Sequence, residues 1–514
     1  MSQVYADFDI VFVGGTTACV TAGRLAKANP ELHILLVEQG PNNYQEPNVV
    51  TPALFLSHQA PGSKTTIFWK GNKSDALNGR SPIVSTGRIL GGGSRWKLTT
   101  SLLVVKLMDM RVSYSDKENF PAVAQAYLEV AQKRGVPLVQ DKQDLNTGHG
   151  CQRWAKWIDP ATGVRQDAAH RYPSSMQQQT LAHYDCDQGC PCHFEGTKAT
   201  GIEVVADKDT EEDANQTPYI INARKLRSGV GEAERLKKLG IQVVSDLPVG
   251  STYEDHNLVL TPYHVADDTE TIDPIMYQDP AFLEEAQAQF AQGKGALATN
   301  WIDAGSKLRP TPKELEEIGP AFAPVWKSYF ESKPDKALVE GWLGPRNILP
   351  YKKARMILMG NYTGYPISRG HVYITSTDPY ADPDFETGFL DKQADVDVQI
   401  WAYKQARCVK LDGPPDVNNV KDIVYTPEDN KAIEAYLRQF VETTWHSVGT
   451  VLMKPREQGG CVDARLNVYG TQNLKVADLS IIPGNVGANT NSTALVTGEK
   501  AAVIIAEDLG LNLD

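Results

Sequence analysis

The chain has 514 residues, and its 51 Lys and Arg against 63 Asp and Glu give a net charge of −12. Hydrophobic residues at 41% and charged residues at 22% are ordinary for a globular protein and exclude a disordered or fibrous chain. The chain is acidic overall and contains no Lys/Arg-rich run. This argues against nucleic acid as a partner, because phosphate binding needs a concentrated basic face. No apolar run approaches the roughly 18 residues that a membrane span needs.

The N-terminus and the cysteines predict a cytoplasmic protein. Residues 1–7 (MSQVYAD) contain neither a basic region nor the start of a long apolar core, so no targeting peptide is expected. Seven cysteines, an odd number in a long chain, fit a reducing compartment better than a disulfide framework.

The first 40 residues predict a βαβ unit. Residues 10–13 (IVFV) are a short apolar run typical of a strand buried on both faces, and Gly14 and Gly15 interrupt it. Small and apolar residues recur at helical spacing over 16–29 until Pro30, and a second buried strand follows at 33–37. Glu38 ends that strand. This order of strand, glycine turn, helix, strand and acidic residue is typical of a dinucleotide-binding fold.

The chemistry of this unit depends on its turn. Glycines let the backbone approach a pyrophosphate at the helix N-terminus, and the acid that ends the second strand accepts ribose hydroxyls. The turn here reads GGTTAC over residues 14–19, so Thr16 and Cys19 stand where the glycine fingerprint has glycine. Two alternatives stay open at this point: a Rossmann-like half without a nucleotide, and an NAD(P)-dependent dehydrogenase.

The remaining chain alternates irregular and periodic segments. A second glycine loop, GGGS, covers residues 91–94. The other predictions, in chain order, are irregular connections at 41–82, a helix at 122–134, exposed loops at 185–215, helices at 281–290 and 312–317, a strand at 369–375, a helix at 428–443, a strand near 474–476 and a closing helix at 492–509.

The C-terminal quarter carries an ordered series of motifs. They are WHSVGT at 445–450, VDARLNVYG at 462–470, NLKVADLSIIP at 473–483, GANTN at 487–491 and GEKAA at 498–502. With the first turn, the second glycine loop and Asp255-His256 after Pro248-Val249-Gly250, this series resembles the glucose-methanol-choline (GMC) flavin oxidoreductases. Within that family the chain is most similar to fungal alcohol oxidases, with gaps, over most of its length.

This resemblance implies an α/β fold with a Rossmann-like FAD-binding domain and an inserted α+β substrate-binding domain. Residues 1–110 and 426–514 would form the FAD-binding domain, 111–260 a mixed and partly FAD-binding region, and 261–425 the substrate-binding domain. The cofactor would be FAD and the substrate a small-molecule alcohol, and relatives of this kind assemble into homo-oligomers. By analogy, a role in fungal secondary metabolism is also expected.

The resemblance also assigns roles to individual residues. His446 would be the general base that removes the hydroxyl proton, and Asn489 would hold the oxygen by a hydrogen bond. The positions expected to bind FAD are Gly14, Gly15, Thr16, Thr17, Glu38, Gly92, Gly93, Ser94, Trp445, Asp478, Thr490 and Asn491.

The sequence departs from the family pattern in two places. Residues 95–100 (RWKLTT) lead early to 110–114, so much of the lid after the second glycine loop is missing. The Gly/Ser-rich segment before residues 228–231 (SGVG) is also shortened. The rival interpretation is therefore a catalytically inactive GMC-like protein that has lost flavin binding.

No metal site is expected. Cys186, Cys190 and Cys192 lie beside His183 and His193, but all five crowd into one short stretch without the distant second pair of ligands typical of zinc sites. Exposed free thiols are the preferred interpretation. The acidic positions Asp378, Asp382 and Asp384, with prolines between them, predict a solvated turn.

Overall fold

A computed structural model describes residues 8–38, 40, 46–95, 112–114, 120–142, 144, 146–172, 181–185, 192–202, 228–344, 355–378, 380–407 and 424–513. Within these ranges the α-helices are α1 (Thr16–Ala28), α2 (Pro47–Val50), α3 (Ala122–Lys133), α4 (Ala168–Arg171), α5 (Ala233–Lys238), α6 (Asp273–Met276), α7 (Pro280–Phe290), α8 (Pro312–Ile318), α9 (Ala323–Val325), α10 (Gln393–Arg407), α11 (Pro427–Phe440) and α12 (Asn491–Asp508).

The strands divide among several sheets. They are β1 (Ile10–Val13), β2 (Ile34–Glu38), β3 (Thr66–Lys70), β4 (Ile83–Gly87), β5 (Gly150–Arg153), β6 (Leu181–Asp185), β7 (Cys192–Glu195), β8 (Lys198–Ile202), β9 (Val230–Gly231), β10 (Ser245–Asp246), β11 (Asn257–His264), β12 (Ala304–Leu308), β13 (Val339–Gly344), β14 (Met356–Thr363), β15 (His371–Tyr373), β16 (Asp384–Glu386) and β17 (Glu442–Thr443).

The predicted βαβ unit is confirmed. Strands β1, β2 and β6 form a parallel sheet in the order β1-β2-β6, and Val11 pairs with Leu35. Helix α1 packs on the face that carries Phe12. The opposite face leaves Val11 37% and Val13 36% exposed, so the prediction that this strand is buried on both faces is wrong. Strand β2, in contrast, is buried along its whole length.

The first and last helices pack closely against each other. A Cβ atom added to Gly498 of α12 would lie 2.8 Å from Cβ of Val20 in α1. Thr21 Oγ1 lies 3.0 Å from the Gly498 carbonyl oxygen, so its hydroxyl can donate to α12. Cys19 is fully buried in the same core. The absence of a side chain at Gly498 therefore allows the two ends of the chain to pack as one layer.

A six-stranded antiparallel sheet forms the second layer. Its order is β17-β11-β14-β13-β12-β5, so it combines segments that are far apart in the chain. Helices α3 and α10 cover the face that carries Val339 and Leu343. Glu340, Trp342 and Tyr362 project from the opposite face, as strand alternation requires. That face is turned toward the candidate site.

Most of the predicted helices are confirmed, with ends shifted by a few residues, and three predictions of irregular or extended structure need correction. Residues 41–82 contain the 3₁₀ helix Pro52–Gln59 and β3, which pairs with β4, because Trp69 and its neighbours pack into a core. Residues 192–202 form the exposed hairpin β7–β8. The strand predicted near 474–476 is absent: only an isolated bridge joins Lys475 to Asn467, and the positive φ of Asn473 interrupts an extended ladder.

No helix among the residues that the structure describes is both long and apolar enough to cross a lipid bilayer.

The contact at Gly498 gives a stability prediction. We expect Gly498→Leu to lower the free energy of unfolding by about 1–3 kcal/mol, because the new side chain overlaps Val20 in a packed interface. Chemical denaturation followed by circular dichroism measures the change. Val496→Leu is the matched control, since Val496 lies on the same helix and is 42% exposed. Equal stability of the two variants would contradict the proposed packing constraint.

Candidate active site

A cavity of about 580 Å³ opens where the two glycine turns meet the C-terminal segments. Its size is within the range of small-molecule and cofactor sites. Strands β3 and β4, the β15 region and the N-terminal end of α12 complete its wall. Of the residues predicted to bind FAD, those on its lining are Gly15, Thr16, Thr17, Gly92, Gly93, Trp445, Asp478, Thr490 and Asn491.

The two glycine turns contact each other directly. A Cβ atom on Gly15 would lie 2.6 Å from the Gly92 Cα atom, so only glycine fits there. Thr16 Oγ1 donates to the Gly91 carbonyl at 2.8 Å and accepts from the Ser94 amide at 3.3 Å. The threonine that replaces a fingerprint glycine therefore joins the two turns. Its hydroxyl is directed to the second glycine loop while the residue still lines the cavity.

The start of α1 has the properties of an anion site. Its N-cap, Gly15, makes no side-chain capping bond, and no acidic residue lies in its first turn. The first N–H groups of a helix have no intrahelical partner, and the helix dipole adds partial positive charge there. Because Thr16 and Thr17 line the cavity, this end of the helix can hold the phosphates of a dinucleotide.

Three of the predicted FAD-binding residues do not line the cavity. Glu38 is buried at the end of β2, and its Oε1 accepts from the Gly40 amide at 3.1 Å. Gly14 precedes the helix with a φ of 118°. The Ser94 hydroxyl donates to the Gly91 carbonyl at 2.6 Å, which closes the second glycine loop. These three residues belong to the turns and their surroundings but do not reach the cavity surface.

His446 is buried beside the cavity, between two residues that line it. Trp445 and Ser447 belong to the cavity wall, whereas His446 itself does not line this cavity. Its Nδ1 lies 2.8 Å from Nδ1 of His256, and its ring meets Tyr362 edge-on with 5.6 Å between ring centroids. The imidazole is thus directed toward the six-stranded sheet.

Asn489 lies on a different cavity. This second cavity has a volume of about 630 Å³ and runs along the outer side of α12, with Tyr365 and Lys500 also on its wall. The loop that carries Asn489 is linked to His446 through Asn485, whose Nδ2 donates to the His446 carbonyl at 3.1 Å. The structure therefore brings the two predicted catalytic residues to adjoining segments, though not to one shared cavity.

The carboxylate of Asp255 organises the segment that contains His446. Its Oδ1 accepts from the His446 amide at 2.9 Å, and its Oδ2 accepts from the hydroxyls of Thr443 at 2.5 Å and Tyr253 at 3.2 Å. Asp255 is almost fully buried. Trp445 has a φ of 60°, a strained backbone angle for a bulky residue, and this network supports it.

A buried ion pair lies behind His256. Lys142 Nζ and Glu340 Oε1 are 2.5 Å apart, and the Tyr362 hydroxyl donates to Glu340 Oε2 at 2.8 Å. Burial lowers the pKa of Lys142 to about 8, although Glu340 opposes this shift. Burial works against the charge of Glu340, but Lys142 and Lys307 keep its pKa below the ordinary value. Such a pair is costly to break because one buried charge would remain.

Sequence reasoning did not assign roles to several of these residues. Asp255 and His256 stand out in the sequence only as part of the family pattern, and no motif marks Tyr362, Glu340 or Lys142. Their partners lie far away in the chain: Asp255 bonds to His446 across 191 positions. The Asp-His dipeptide after Pro-Val-Gly was the one available signal.

The predicted thiol cluster lies largely outside the described residues. Cys186 and Cys190 fall there, and Cys192 has a backbone amide that donates to Ser228 Oγ. Within the described ranges no group of three or more His, Cys, Asp or Glu residues could hold a metal ion. In the acidic turn, Asp384 accepts from Asn72 and pairs with His371.

Comparisons with known proteins agree with this architecture. Residues 366–498 match the family model of the GMC oxidoreductases. The alcohol oxidase of Pichia angusta is 34% identical, with 98% of this chain and 95% of the relative covered. A formate oxidase crystal structure has a TM-score of 0.81 at 18% identity, with 98% of both chains covered. An FAD-dependent oxidoreductase from Chaetomium thermophilum has a TM-score of 0.78 at 19% identity and covers 98% of this chain and 100% of its own.

The chain belongs to the GMC oxidoreductase family, a family of FAD-dependent enzymes. This confirms the resemblance stated from the C-terminal motifs, including the similarity to fungal alcohol oxidases, and the α/β fold class.

The Asp255 network gives the second prediction. We expect Asp255→Asn to lower the free energy of unfolding by about 1–3 kcal/mol, because an amide NH₂ replaces an acceptor among buried donors. Thermal or chemical denaturation measures this. Asp279→Asn is the control: Asp279 is an exposed helix N-cap, where asparagine caps equally well. A loss of stability as small as that of the control would show that the carboxylate does not hold this segment.

Proposed function

We propose that this protein is an FAD-dependent oxidoreductase that oxidises the CH–OH group of a small-molecule alcohol. The observation that carries the proposal is the open cavity between the paired glycine turns and the C-terminal segments, which nine of the predicted FAD-binding residues line. The alcohol oxidase relatives and the FAD-dependent neighbour support the substrate class and the cofactor.

The residues around the cavity fit the parts of FAD. The N-terminal end of α1, with Gly15 and Gly92 in backbone contact, suits the pyrophosphate. Asp478, Thr490 and Asn491 supply polar groups at the other side of the cavity. FAD, when bound, would accept the hydride, which protein side chains cannot do.

The protein's own residues would handle the proton. Oxidation of an alcohol requires that its hydroxyl proton leaves as hydride leaves the carbon, and a neutral imidazole can accept that proton near neutral pH. We assign this role to His446. Asn489 would hold the alcohol oxygen by donating a hydrogen bond without competing for the proton, which requires the alcohol to reach the point where the wall passes from Thr490 on the first cavity to Asn489 on the second. The buried network of Asp255 would keep the His446 backbone fixed throughout.

The rival function is a GMC-like protein that has lost its cofactor. The open cavity and the hydroxyl of Thr16, which connects the glycine turns, favour retention of FAD. The absorbance spectrum of the purified protein tests this: flavin bands are expected. A colourless, folded protein that takes up no added FAD would favour the rival. The homo-oligomer, the cytoplasmic location and a role in secondary metabolism stay predictions.

The third prediction concerns the contact between Gly15 and Gly92. We expect Gly15→Ala to reduce the molar ratio of bound flavin strongly, because the new Cβ would overlap the Gly92 backbone at 2.6 Å and separate the two turns. The flavin content after gel filtration measures the effect. Gly201→Ala, at a position with open space around it, is the matched control and should keep the wild-type ratio. Equal flavin content in the two variants would remove the first turn from the binding site.

The fourth prediction concerns the base. We expect His446→Ala to slow flavin reduction by alcohol by roughly two to four orders of magnitude, because the proton acceptor is lost. Stopped-flow absorbance of the flavin measures this rate. His264→Ala serves as the control, since His264 is exposed at the end of β11 and lies outside the site. An unchanged rate in His446→Ala would rule out this residue as the base.

A further inference from the structure

His256 and His446 form a buried imidazole pair. Their Nδ1 atoms are 2.8 Å apart, their rings are nearly perpendicular at 87°, and the two residues are only 0% and 2% exposed. A hydrogen bond between two imidazoles contains one proton, so one Nδ1 atom must donate and the other must accept. The identity of the donor ring determines, for each ring, whether its other nitrogen carries a proton or a basic lone pair.

The second contact of His256 settles the direction of this bond. Its Nε2 lies 3.1 Å from the carbonyl oxygen of Gly364. A carbonyl oxygen can only accept, so Nε2 of His256 must carry a proton. A neutral imidazole has one ring proton, and Nδ1 of His256 is then the acceptor. The proton between the two rings therefore belongs to Nδ1 of His446.

We propose that His256 is a positioning residue that holds His446 as the tautomer with its proton on Nδ1 and its basic lone pair on Nε2. The inference rests on the proposed function, because it concerns the residue assigned as the base. The opposite tautomer would have a proton on Nε2 and could not accept another there. His256 thus performs for His446 the tautomer selection that a hydrogen-bonded carboxylate performs in other histidine-based sites.

The same arrangement suits the protonated state of His446. When Nε2 of His446 takes up a proton, Nδ1 keeps its own proton and continues to donate to His256. The bond becomes charge-assisted and shorter, so it stabilises the imidazolium without any rearrangement. No proton passes to His256, whose Nε2–H continues to donate to the Gly364 carbonyl.

The ring of His256 is itself held in place. It stacks on Tyr362 with 4.7 Å between centroids and 13° between planes. The Tyr362 hydroxyl donates to Glu340, whose other oxygen pairs with Lys142. The six-stranded sheet therefore fixes the plane of His256, and the Gly364 carbonyl fixes its rotation. The carboxylate of Asp255 accepts from the backbone amide of His446.

The direct test is ¹⁵N NMR of the purified protein with labelled histidine, assigned by comparison with His446→Ala and His256→Leu. We expect protonated-type signals for Nδ1 of His446 and Nε2 of His256, and unprotonated-type signals for Nε2 of His446 and Nδ1 of His256. A proton on Nε2 of neutral His446 would overturn the inference. Because this measurement needs no turnover, it stands apart from the proposed function.

A pair of nearly isosteric variants gives the second test. His256→Asn keeps an acceptor oxygen near the Nδ1 position. His256→Leu has a side chain of similar size but no acceptor. We expect His256→Leu to slow flavin reduction by roughly 10- to 100-fold at saturating alcohol, with a much smaller change in the apparent substrate affinity. His256→Asn should recover most of that rate and keep the Nδ1–H signal of His446.

These outcomes separate the two proposals. Equal rates in folded His256→Asn and His256→Leu would show that the acceptor is not what matters and would overturn the positioning role. Should the wild-type protein show the expected tautomers but no flavin reduction by any alcohol, the proposed function fails while the assignment of protons stands.

Discussion

The carboxylate of Asp255 is the constraint on which the candidate site depends. It accepts from the backbone amide of His446 and the hydroxyl of Thr443, and it directly precedes His256 in the chain. One buried side chain therefore holds the backbone of His446 and is adjacent in sequence to its imidazole partner. Because Thr443 belongs to β17 and residue 257 begins β11, the same carboxylate joins the edge of the six-stranded sheet to the segment that borders the cofactor cavity. A buried charge is tolerated here because donors surround it.

The altered glycine turn shows what a side chain contacts when it replaces a fingerprint glycine. A fingerprint defines which backbone atoms approach a phosphate, and it cannot say what a replacing side chain will contact. Here the Thr16 hydroxyl donates to the Gly91 carbonyl. The close approach that needs glycine lies at the Gly15–Gly92 contact. Glycine thus stands where two backbones meet, at Gly15 and Gly92. A larger side chain, that of Thr16, stands where it has a hydrogen-bonding partner.

Local spacing made the βαβ unit and the long helices predictable, because each depends on residues a few positions apart. The histidine pair was not predictable in this way: His256 and His446 are separated by 190 positions, and only the antiparallel sheet brings them together. The family pattern identified both without relating them. The error at β1 has the same origin, since the exposure of Val11 and Val13 depends on what covers the sheet and not on the strand itself.

The length of the chain bears on how the site must work. Its alignment with the Pichia angusta alcohol oxidase covers 637 positions, while the chain has 514 residues, so at least 123 positions have no counterpart here. A lid excludes water and completes a site on closure. Groups that are already in place before substrate arrives act without such closure. The carboxylate of Asp255, the carbonyl of Gly364 and the ring of His256 are such groups, because their bonds are buried and internal to the fold. The histidine pair is thus preorganised by bonds internal to the fold, which form without closure of a covering segment.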